Sequence, residues 1–237
     1  MTAGCHSDLV ELDSIYDNGD GRTVHCAMNI DSKTALTNHA IDEALDRAVD
    51  RGEVLELYGH EPGRTATLSL IEHVVAGARD RDLAFITYAD FADGGVRGPG
   101  LALSFDDTSI QAWHDMLPTL ALYDAHVTFF ISRYWQLHDT ERAMVHDLAD
   151  AGHDIEPHTV NHLNAPRYVE EHGLAAYLRD EVQPSIDVLE TDGYRVRAFA
   201  YPFGARTAEI DDALLERVPV LRSLEFAYSG VVSPCPH

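Results

Sequence analysis

The chain has 237 residues, 45% of them hydrophobic, which suits a single α/β domain with a substantial core. Acidic residues outnumber basic ones 40 to 17, so the formal charge is −23 and the surface would repel nucleic acid and anionic lipid. No apolar run approaches the roughly 18–20 residues of a membrane-spanning helix, so we expect no transmembrane segment.

Short apolar runs alternate along the chain with segments of helical periodicity. The apolar runs predict eight strands, at 24–30, 54–58, 83–87, 101–105, 127–132, 154–158, 197–201 and 218–221. The periodic segments predict helices at 38–51, 65–80, 112–123, 141–151, 168–189 and 208–218. Thr37 is a plausible helix cap, and Pro184 predicts a bend. Such alternation is typical of a parallel sheet with helices outside, and this number of strands favours a closed or partly closed barrel with its site at the strand ends.

Two adjacent carboxylates, Asp106 and Asp107, follow directly on the apolar run 101–105. Neighbouring side chains of an extended chain point to opposite faces, so two acids at a strand end can take different roles. One can bind a metal ion while the other serves as a base. The alternative is a pair of solvated loop acids, which are common.

Two histidines, His158 and His162, lie four residues apart at the end of the predicted strand 154–158. On a helical turn this spacing places both imidazoles on one face, where they can bind one metal ion. Imidazole suits zinc and neighbouring transition metals, and a carboxylate completes a three-ligand site with room for water and substrate. Because the chain has 14 histidines, a chance pair is the alternative.

Together these motifs resemble those of the polysaccharide deacetylases, the NodB-homology group or carbohydrate esterase family 4. The order and spacing agree, since Asp-Asp at 106–107 is followed by His-Thr-x-x-His at 158–162. The segment 127–131 resembles the family's second strand, and 200–204 loosely resembles its Arg-Pro-Pro-Tyr-Gly motif. The resemblance implies a distorted (β/α) barrel that removes N- or O-acetyl groups from an acetylated polysaccharide or oligosaccharide.

The resemblance also implies roles for the residues of the first two motifs. Asp106 is expected to be the catalytic base. One divalent transition metal ion, zinc before cobalt or nickel, is expected to bind to Asp107, His158 and His162.

The third motif departs from the family pattern. Ala200 stands where the family often has an arginine that braces the catalytic Asp, so the base needs another partner, for which Arg206 and Arg197 are candidates. Phe203 replaces a tyrosine, but its backbone N–H can still stabilise an oxyanion. We expect Phe203 and Tyr201 to contact the substrate.

The family's late motif, an apolar strand that ends in the histidine serving as general acid, has no counterpart after Gly204. A match lies near the N-terminus, where the run 54–58 leads to His60. We therefore expect His60 to be the general acid, with Asp31 as a weaker match to the acid that orients it. An N-terminal extension with an incidental His60 is the alternative.

The position of His60 predicts a circularly permuted chain. One domain would span 1–237, with 1–92 equivalent to the family's usual C-terminal part and 101–237 equivalent to its N-terminal part. The glycine- and proline-rich segment 93–100 would be the loop that joins them.

Three cysteines bear on the cellular location. Cys5 follows Thr2-Ala3-Gly4, which resembles the end of a bacterial lipoprotein signal without its usual leucine and preceding apolar stretch. A lipid anchor on Cys5 would leave Cys26 and Cys235 to pair in an oxidising compartment, and three unpaired thiols are the alternative. We expect a protein that is secreted, periplasmic or lipid-anchored at the bacterial cell envelope.

Two other functions stay open at this point. The absent bracing arginine is compatible with a catalytically decayed carbohydrate-binding protein on the same fold. A metal-dependent hydrolase of a non-sugar amide would use the same ligands.

Overall fold

A computed structural model describes residues 9–94 and 98–226 together with Cys235. Cys5, the residues before it and the middle of the proposed joining loop lie outside the described residues. The strands are β1 (Tyr16–Asp17), β2 (Val24–Asn29), β3 (Val54–Gly59), β4 (Ala84–Phe85), β5 (Gly100–Asp107), β6 (Thr128–Ile131), β7 (Asp154–Pro157), β8 (Ala198–Ala200) and β9 (Val220–Glu225).

Seven of these strands lie side by side in the order β7–β6–β5–β3–β2–β9–β8, and every neighbouring pair on this path is parallel. The two ends of the path meet where the Glu156 carboxylate of β7 accepts the backbone N–H of Arg197, just before β8, at 2.9 and 3.1 Å. The sheet is therefore a nearly closed barrel, and the predicted distorted (β/α) barrel is confirmed.

Ten α-helices lie within the described residues. They are α1 (Asn38–Arg51), α2 (Leu68–Asp80), α3 (Tyr88–Ala92), α4 (Ile110–Asp115), α5 (Leu117–Leu122), α6 (Asp139–Asp150), α7 (Ala165–His172), α8 (Leu174–Tyr177), α9 (Gln183–Thr191) and α10 (Ala208–Leu215). None of the helices in the described part of the chain is long and apolar enough to cross a membrane.

Helix α1 shows how the predicted pattern folds. The Thr37 hydroxyl accepts the backbone N–H of Ala40 at 3.1 Å, as the sequence predicts for a cap, and Gly52 ends the helix at φ 68°. Between these residues the apolar stripe is buried in the main hydrophobic core, through Ile41, Ala44, Leu45 and Ala48.

The strand predicted at 83–87 is shorter in the structure. Only Ala84 and Phe85 form β4, because Thr87 caps α3 through a reciprocal pair of hydrogen bonds with Asp90. The helix predicted at 112–123 is divided at Met116, so that α4 and α5 are separate short helices.

The helix predicted at 168–189 is also divided. Gly173 (φ 86°) separates α7 from α8, an interruption that the sequence analysis did not predict. The bend predicted at Pro184, which removes a backbone donor, takes the form of a π-helical turn at Leu178–Val182 that the sequence did not predict.

Helix α3 covers the barrel at the amino ends of its strands. The Tyr88 N–H donates to the Thr128 hydroxyl at 2.9 Å, and the Ala89 N–H donates to Asp154 at 3.1 Å. The Tyr88 ring also packs against Phe130 inside the barrel, at 5.1 Å between ring centres. The amino end is thus filled, which leaves the carboxyl end for a site.

The described ends of the chain meet beside β2. Cys26 and Cys235 form a disulfide, which resolves the two alternatives for these cysteines in favour of pairing. The Ser14 hydroxyl donates to Glu225 of β9 at 2.6 Å. Segments that are distant in sequence therefore lie together.

Candidate metal centre and active site

Three potential metal ligands converge at the carboxyl ends of β5 and β7. Asp107 ends β5 and His158 follows β7 directly, while His162 lies on the loop beyond. One ligand atom from each residue lies within 4.8 Å of the others, and no other such group occurs in the described part of the chain. The Asp107 carboxylate is 3.2 Å from His162 Nε2 and 4.0 Å from His158 Nε2.

The His158 ring is oriented by the main chain. Its Nδ1 lies 2.8 Å from the Ala200 carbonyl oxygen, which can only accept a hydrogen bond, so Nδ1 carries the proton. The lone pair of Nε2 is then directed towards Asp107 and His162. Burial, together with the neighbouring charges of His162 and Arg222, holds the pKa of His158 well below its usual range. His158 is therefore neutral, as a metal ligand must be.

The two histidines do not lie on a helical turn, and that part of the prediction is wrong. Thr159 and His162 both adopt left-handed conformations, with φ 68° and 61°, and the residues between them form a loop. The Thr159 hydroxyl accepts the His162 N–H at 2.9 Å. Buried Glu181 accepts both the backbone and side-chain N–H groups of Asn161, at 2.8 and 2.6 Å. These contacts replace a helix in bringing the imidazoles together.

The other acid of the Asp-Asp pair, Asp106, is almost fully buried. It lies beside Asp107, His158 and His162, which we call the ligand group. It forms an ion pair with Arg222 of β9, which is also buried. Arg222 is the register partner of Ala200 in the parallel pair β8–β9, so the guanidinium comes from the strand next to the position where the family has its arginine.

Arg206 and Arg197, the candidates for this role from the sequence, are placed elsewhere. Arg206 pairs with Asp211, and Arg197 pairs with Asp93. Both expectations were wrong because they considered only residues close to Ala200 in sequence. Arg222 was missed because the strand was predicted to end at residue 221, although an arginine within a continuous apolar run is itself a signal of a buried partner.

Arg222 is held between two aromatic rings. Its guanidinium carbon lies 5.0 Å from the ring centre of Tyr58 and 4.9 Å from that of Phe130. Burial alone would lower the pKa of Arg222, but the Asp106 carboxylate outweighs this effect and raises it. Arg222 therefore remains a cation beside Asp106.

His60 follows β3 and is hydrogen-bonded to Asp31. This contact supports the expectation that Asp31 orients His60, which the sequence indicated only weakly. The distance from His60 Nδ1 to Asp31 Oδ2 is 2.6 Å, and the His60 backbone N–H donates to Asp31 Oδ1 at 3.2 Å. Burial lowers the pKa of His60, but the hydrogen bond to Asp31 and the charge of Asp106 outweigh it, and the net direction is upward.

His60 and Asp107 line one cleft of about 500 Å³, to which Asp31 and Lys33 also contribute. The structure thus brings His60 to the carboxyl end of the barrel, beside the ligand group. The sequence alone did not show that His60 lies near Asp107, because the two residues are far apart along the chain.

The two residues expected to contact the substrate differ in position. Phe203 is 55% exposed, has φ 60°, and places its ring 4.7 Å from that of His162. The Tyr201 hydroxyl is buried and donates to Asp211 at 2.8 Å. The Tyr201 side chain is therefore buried against α10 and is not presented to the cleft.

A nearly closed barrel with an Asp-Asp pair and two histidines at the carboxyl ends of its strands defines a NodB-type (β/α) barrel. The model of the polysaccharide deacetylase family matches residues 93–217, more than half of the chain. The chain belongs to the polysaccharide deacetylase family.

Solved structures show the same fold. The Streptococcus pyogenes deacetylase PplD in complex with acetate is 16% identical, with a TM-score of 0.53 over 89% of this chain and 91% of that one. IcaB from Ammonifex degensii is also 16% identical, with a TM-score of 0.53 over 85% of this chain and 84% of that one. A search of curated proteins found no significant match.

Proposed function

We propose that this protein is a divalent-metal-dependent deacetylase that hydrolyses N- or O-acetyl groups on a polysaccharide or oligosaccharide. The observation that carries the proposal is the convergence of Asp107, His158 and His162 beside buried Asp106, with His60 on the same cleft. Membership of the polysaccharide deacetylase family supports the acetylated sugar as substrate.

The three ligands suit zinc, with cobalt or nickel as alternatives. Two imidazoles and one carboxylate form a mixed nitrogen and oxygen set that leaves positions open for water and substrate. The hydrogen bond from His158 Nδ1 to Ala200 fixes the ring for ligation through Nε2. A divalent ion bound there would lower the pKa of a water molecule and polarise the acetyl carbonyl.

The residues of the chain would then divide the proton transfers. Asp106, paired with Arg222, accepts a proton from the attacking water as the water oxygen bonds to the acetyl carbon. The Phe203 N–H donates to the oxyanion that develops. His60, held by Asp31, donates a proton to the leaving nitrogen or oxygen as its bond to the acetyl carbon breaks. Acetate and the free sugar amine or alcohol are the products.

The decayed-enzyme alternative rested on the alanine at position 200. The ion pair between Arg222 and Asp106 supplies the missing interaction from the next strand, which favours turnover. A hydrolase of a non-sugar amide would use the same residues. Activity on small amides, with none on acetylated oligosaccharides, would distinguish it from the proposed deacetylase.

We also propose that the chain is circularly permuted with its joint at 93–100. Going round the barrel from β5, the strands follow chain order to β9 and continue with β2 and β3. The contact between Ser14 and Glu225 and the disulfide at Cys26 support the joining of distant segments. The disulfide also supports an oxidising location, outside the cytoplasm. A lipid anchor at Cys5 remains part of this proposal.

Metal analysis and acetate release test the function together. Wild-type protein purified without chelators or nickel resin should contain near one transition metal per chain and release acetate from 4-methylumbelliferyl acetate or from acetylated oligosaccharides. His158→Ala should lose both properties. His114→Ala is the matched control, since His114 pairs with Asp147 on the surface. Wild-type protein that neither retains zinc nor releases acetate after zinc is added would refute the proposal.

A further inference from the structure

Unfavourable backbone conformations are concentrated at the candidate site. Within the described part of the chain, eight residues other than glycine have positive φ. Five of them lie at the carboxyl ends of strands or in the loops that follow, namely Asp107, Arg133, Thr159, His162 and Phe203. Thr159 is β-branched, so a φ of 68° is costly for it. Such conformations persist only where the surrounding structure holds them, so the loop between the two ligand histidines needs contacts from outside itself.

The carbonyl groups of this loop accept hydrogen bonds from residues that follow β6. The Arg133 backbone N–H donates to the Thr159 carbonyl oxygen at 3.4 Å, and its guanidinium donates to that of Asn161 at 3.3 Å. The Trp135 Nε1–H donates to the Val160 carbonyl oxygen at 3.3 Å. Three consecutive carbonyl groups between the histidines are therefore bonded from one segment.

The N–H groups of the same loop donate to a single residue, Glu181, which is 1% exposed. Its backbone carbonyl oxygen accepts the Val160 N–H at 3.1 Å. Its two carboxylate oxygens accept the backbone and side-chain N–H groups of Asn161, at 2.8 and 2.6 Å. Glu181 belongs to the π-helical turn Leu178–Val182, and such turns are frequent at functional sites. The loop is thus bonded through its carbonyl groups on one side and its N–H groups on the other.

We propose that Arg133 and Glu181, which we call the loop clamp, hold the loop 158–162 in its metal-binding conformation before any metal ion binds. This inference rests on the proposed function, because it concerns the ion that the proposed deacetylase uses. Both are positioning residues, since the ligand group consists of Asp107, His158 and His162. A loop that is ordered in advance loses little conformational freedom when the ion binds, so the clamp increases metal affinity.

Zinc affinity measures the contribution of each part of the loop clamp. Glu181→Gln keeps the side-chain volume but turns an amide N–H towards one of the Asn161 donors, so the zinc dissociation constant should rise about tenfold. Arg133→Gly removes the guanidinium and suits the φ of 54°, so it should weaken zinc binding without adding backbone strain. Asp180→Asn is the matched control, because the adjacent Asp180 bonds Tyr168 of α7. Competition with a chromophoric chelator gives the constants, and equal values for Glu181→Gln and wild type would overturn the inference.

Amide hydrogen exchange tests the loop clamp in metal-free protein. The Val160 and Asn161 N–H groups should be protected by roughly 100-fold in metal-free wild type. In Glu181→Gln the protection of Asn161 should be lost while the amides of β5 keep theirs, as measured by NMR. Two results would overturn the inference. One is protection of Val160 and Asn161 only after zinc is added, and the other is loss of protection throughout the barrel in Glu181→Gln.

The loop clamp and the proposed function fail in different ways. Wild type that binds zinc and has protected loop amides, but releases no acetate from 4-methylumbelliferyl acetate or acetylated oligosaccharides, refutes the proposed function and supports the clamp. Wild type that releases acetate with unprotected loop amides refutes the clamp alone. Wild type that binds no zinc refutes both.

Discussion

Two buried ion pairs lie inside the barrel, one near each end, and each joins a carboxylate to a basic side chain. Near the carboxyl end, Asp106 pairs with Arg222. Nearer the amino end, Glu56 of β3 pairs with His25 of β2 at 3.0 Å. Because all four side chains are buried, each pair needs its partner to offset the cost of removing charge from water.

The two pairs differ in how completely they are satisfied. Both carboxylate oxygens of Glu56 are bonded, one to His25 and the other to the Tyr88 hydroxyl at 2.9 Å, and Phe91 stacks on His25 from α3. Only Oδ1 of Asp106 is bonded to Arg222, while Oδ2 faces His158 Nε2 at 3.9 Å, beyond hydrogen-bond range.

Arg222 is also left incompletely bonded. Its Nε and Nη1 have no hydrogen-bond partner within the described residues. Incomplete satisfaction of this kind is unusual for structural groups in a core and is common at functional sites. The His25–Glu56 pair (the lower pair) is therefore fully bonded inside the barrel, whereas the Asp106–Arg222 pair (the upper pair) leaves Oδ2 of Asp106 available for the base role that we propose.

The largest expected effect is on Asp106. Asp106→Asn should lower kcat for acetate release by roughly 10²–10⁴-fold, because an amide cannot accept the proton from water. Glu56→Gln, the matched change in the lower pair, should leave kcat within a few fold. Acetate release and thermal melts of both variants measure the difference. Comparable losses of kcat in both would remove the functional distinction between the two pairs.

Removing the cation of the upper pair should have the next largest effect. Arg222→Ala should lower kcat by about 10²-fold and reduce stability by roughly 3–5 kcal/mol, because Asp106 is left buried without a partner. Since Ala200 and Arg222 are register partners on adjacent strands, Ala200→Arg combined with Arg222→Ala should recover part of the activity. Steady-state kinetics and denaturant titration give the two quantities. If the double variant regains stability but shows no recovery of kcat, the effect of Arg222 on activity does not come from its charge beside Asp106.

A smaller loss is expected for the acid that holds His60. Asp31→Asn should lower kcat by roughly 10-fold, because the imidazole loses orientation and its pKa falls towards the usual value. The alkaline limb of the rate profile should therefore move to lower pH. Rates on 4-methylumbelliferyl acetate across pH 5–9 measure this shift, with Asp42→Asn as control, since Asp42 bonds His73 on the surface. An unmoved profile would exclude Asp31 as a positioning residue.

The smallest effect concerns the lower pair and pH. Burial lowers the pKa of His25, but the Glu56 charge and hydrogen bond outweigh it and the net direction is upward. The stability supplied by protonated His25 is complete below its unfolded pKa, about 6.5, and is lost as pH rises through the folded value. The difference in unfolding free energy between wild type and His25→Gln should therefore shrink from pH 6 to pH 9. A difference that grows over this range would contradict the assignment.

The ligand group and the barrel were predictable because each depends on local sequence. Apolar runs that end in acid or histidine are recognised within a few residues, and parallel strands place their carboxyl ends at one edge. Asp106, Asp107 and His158 lie on or immediately after such runs. His60 was found in the same way, from an apolar run that ends beside it.

The remaining parts of the site depend on contacts between residues that are far apart in sequence. Arg222 reaches Asp106 only because β9 pairs in register with β8. Glu181, which fixes the loop at Asn161, comes from a π-helical turn that no local pattern predicted. The sequence by itself placed the candidate metal ligands and acids at strand ends, since the apolar runs that precede them are read locally. Only the tertiary structure decided which buried charges hold them, because register and burial are properties of the whole barrel.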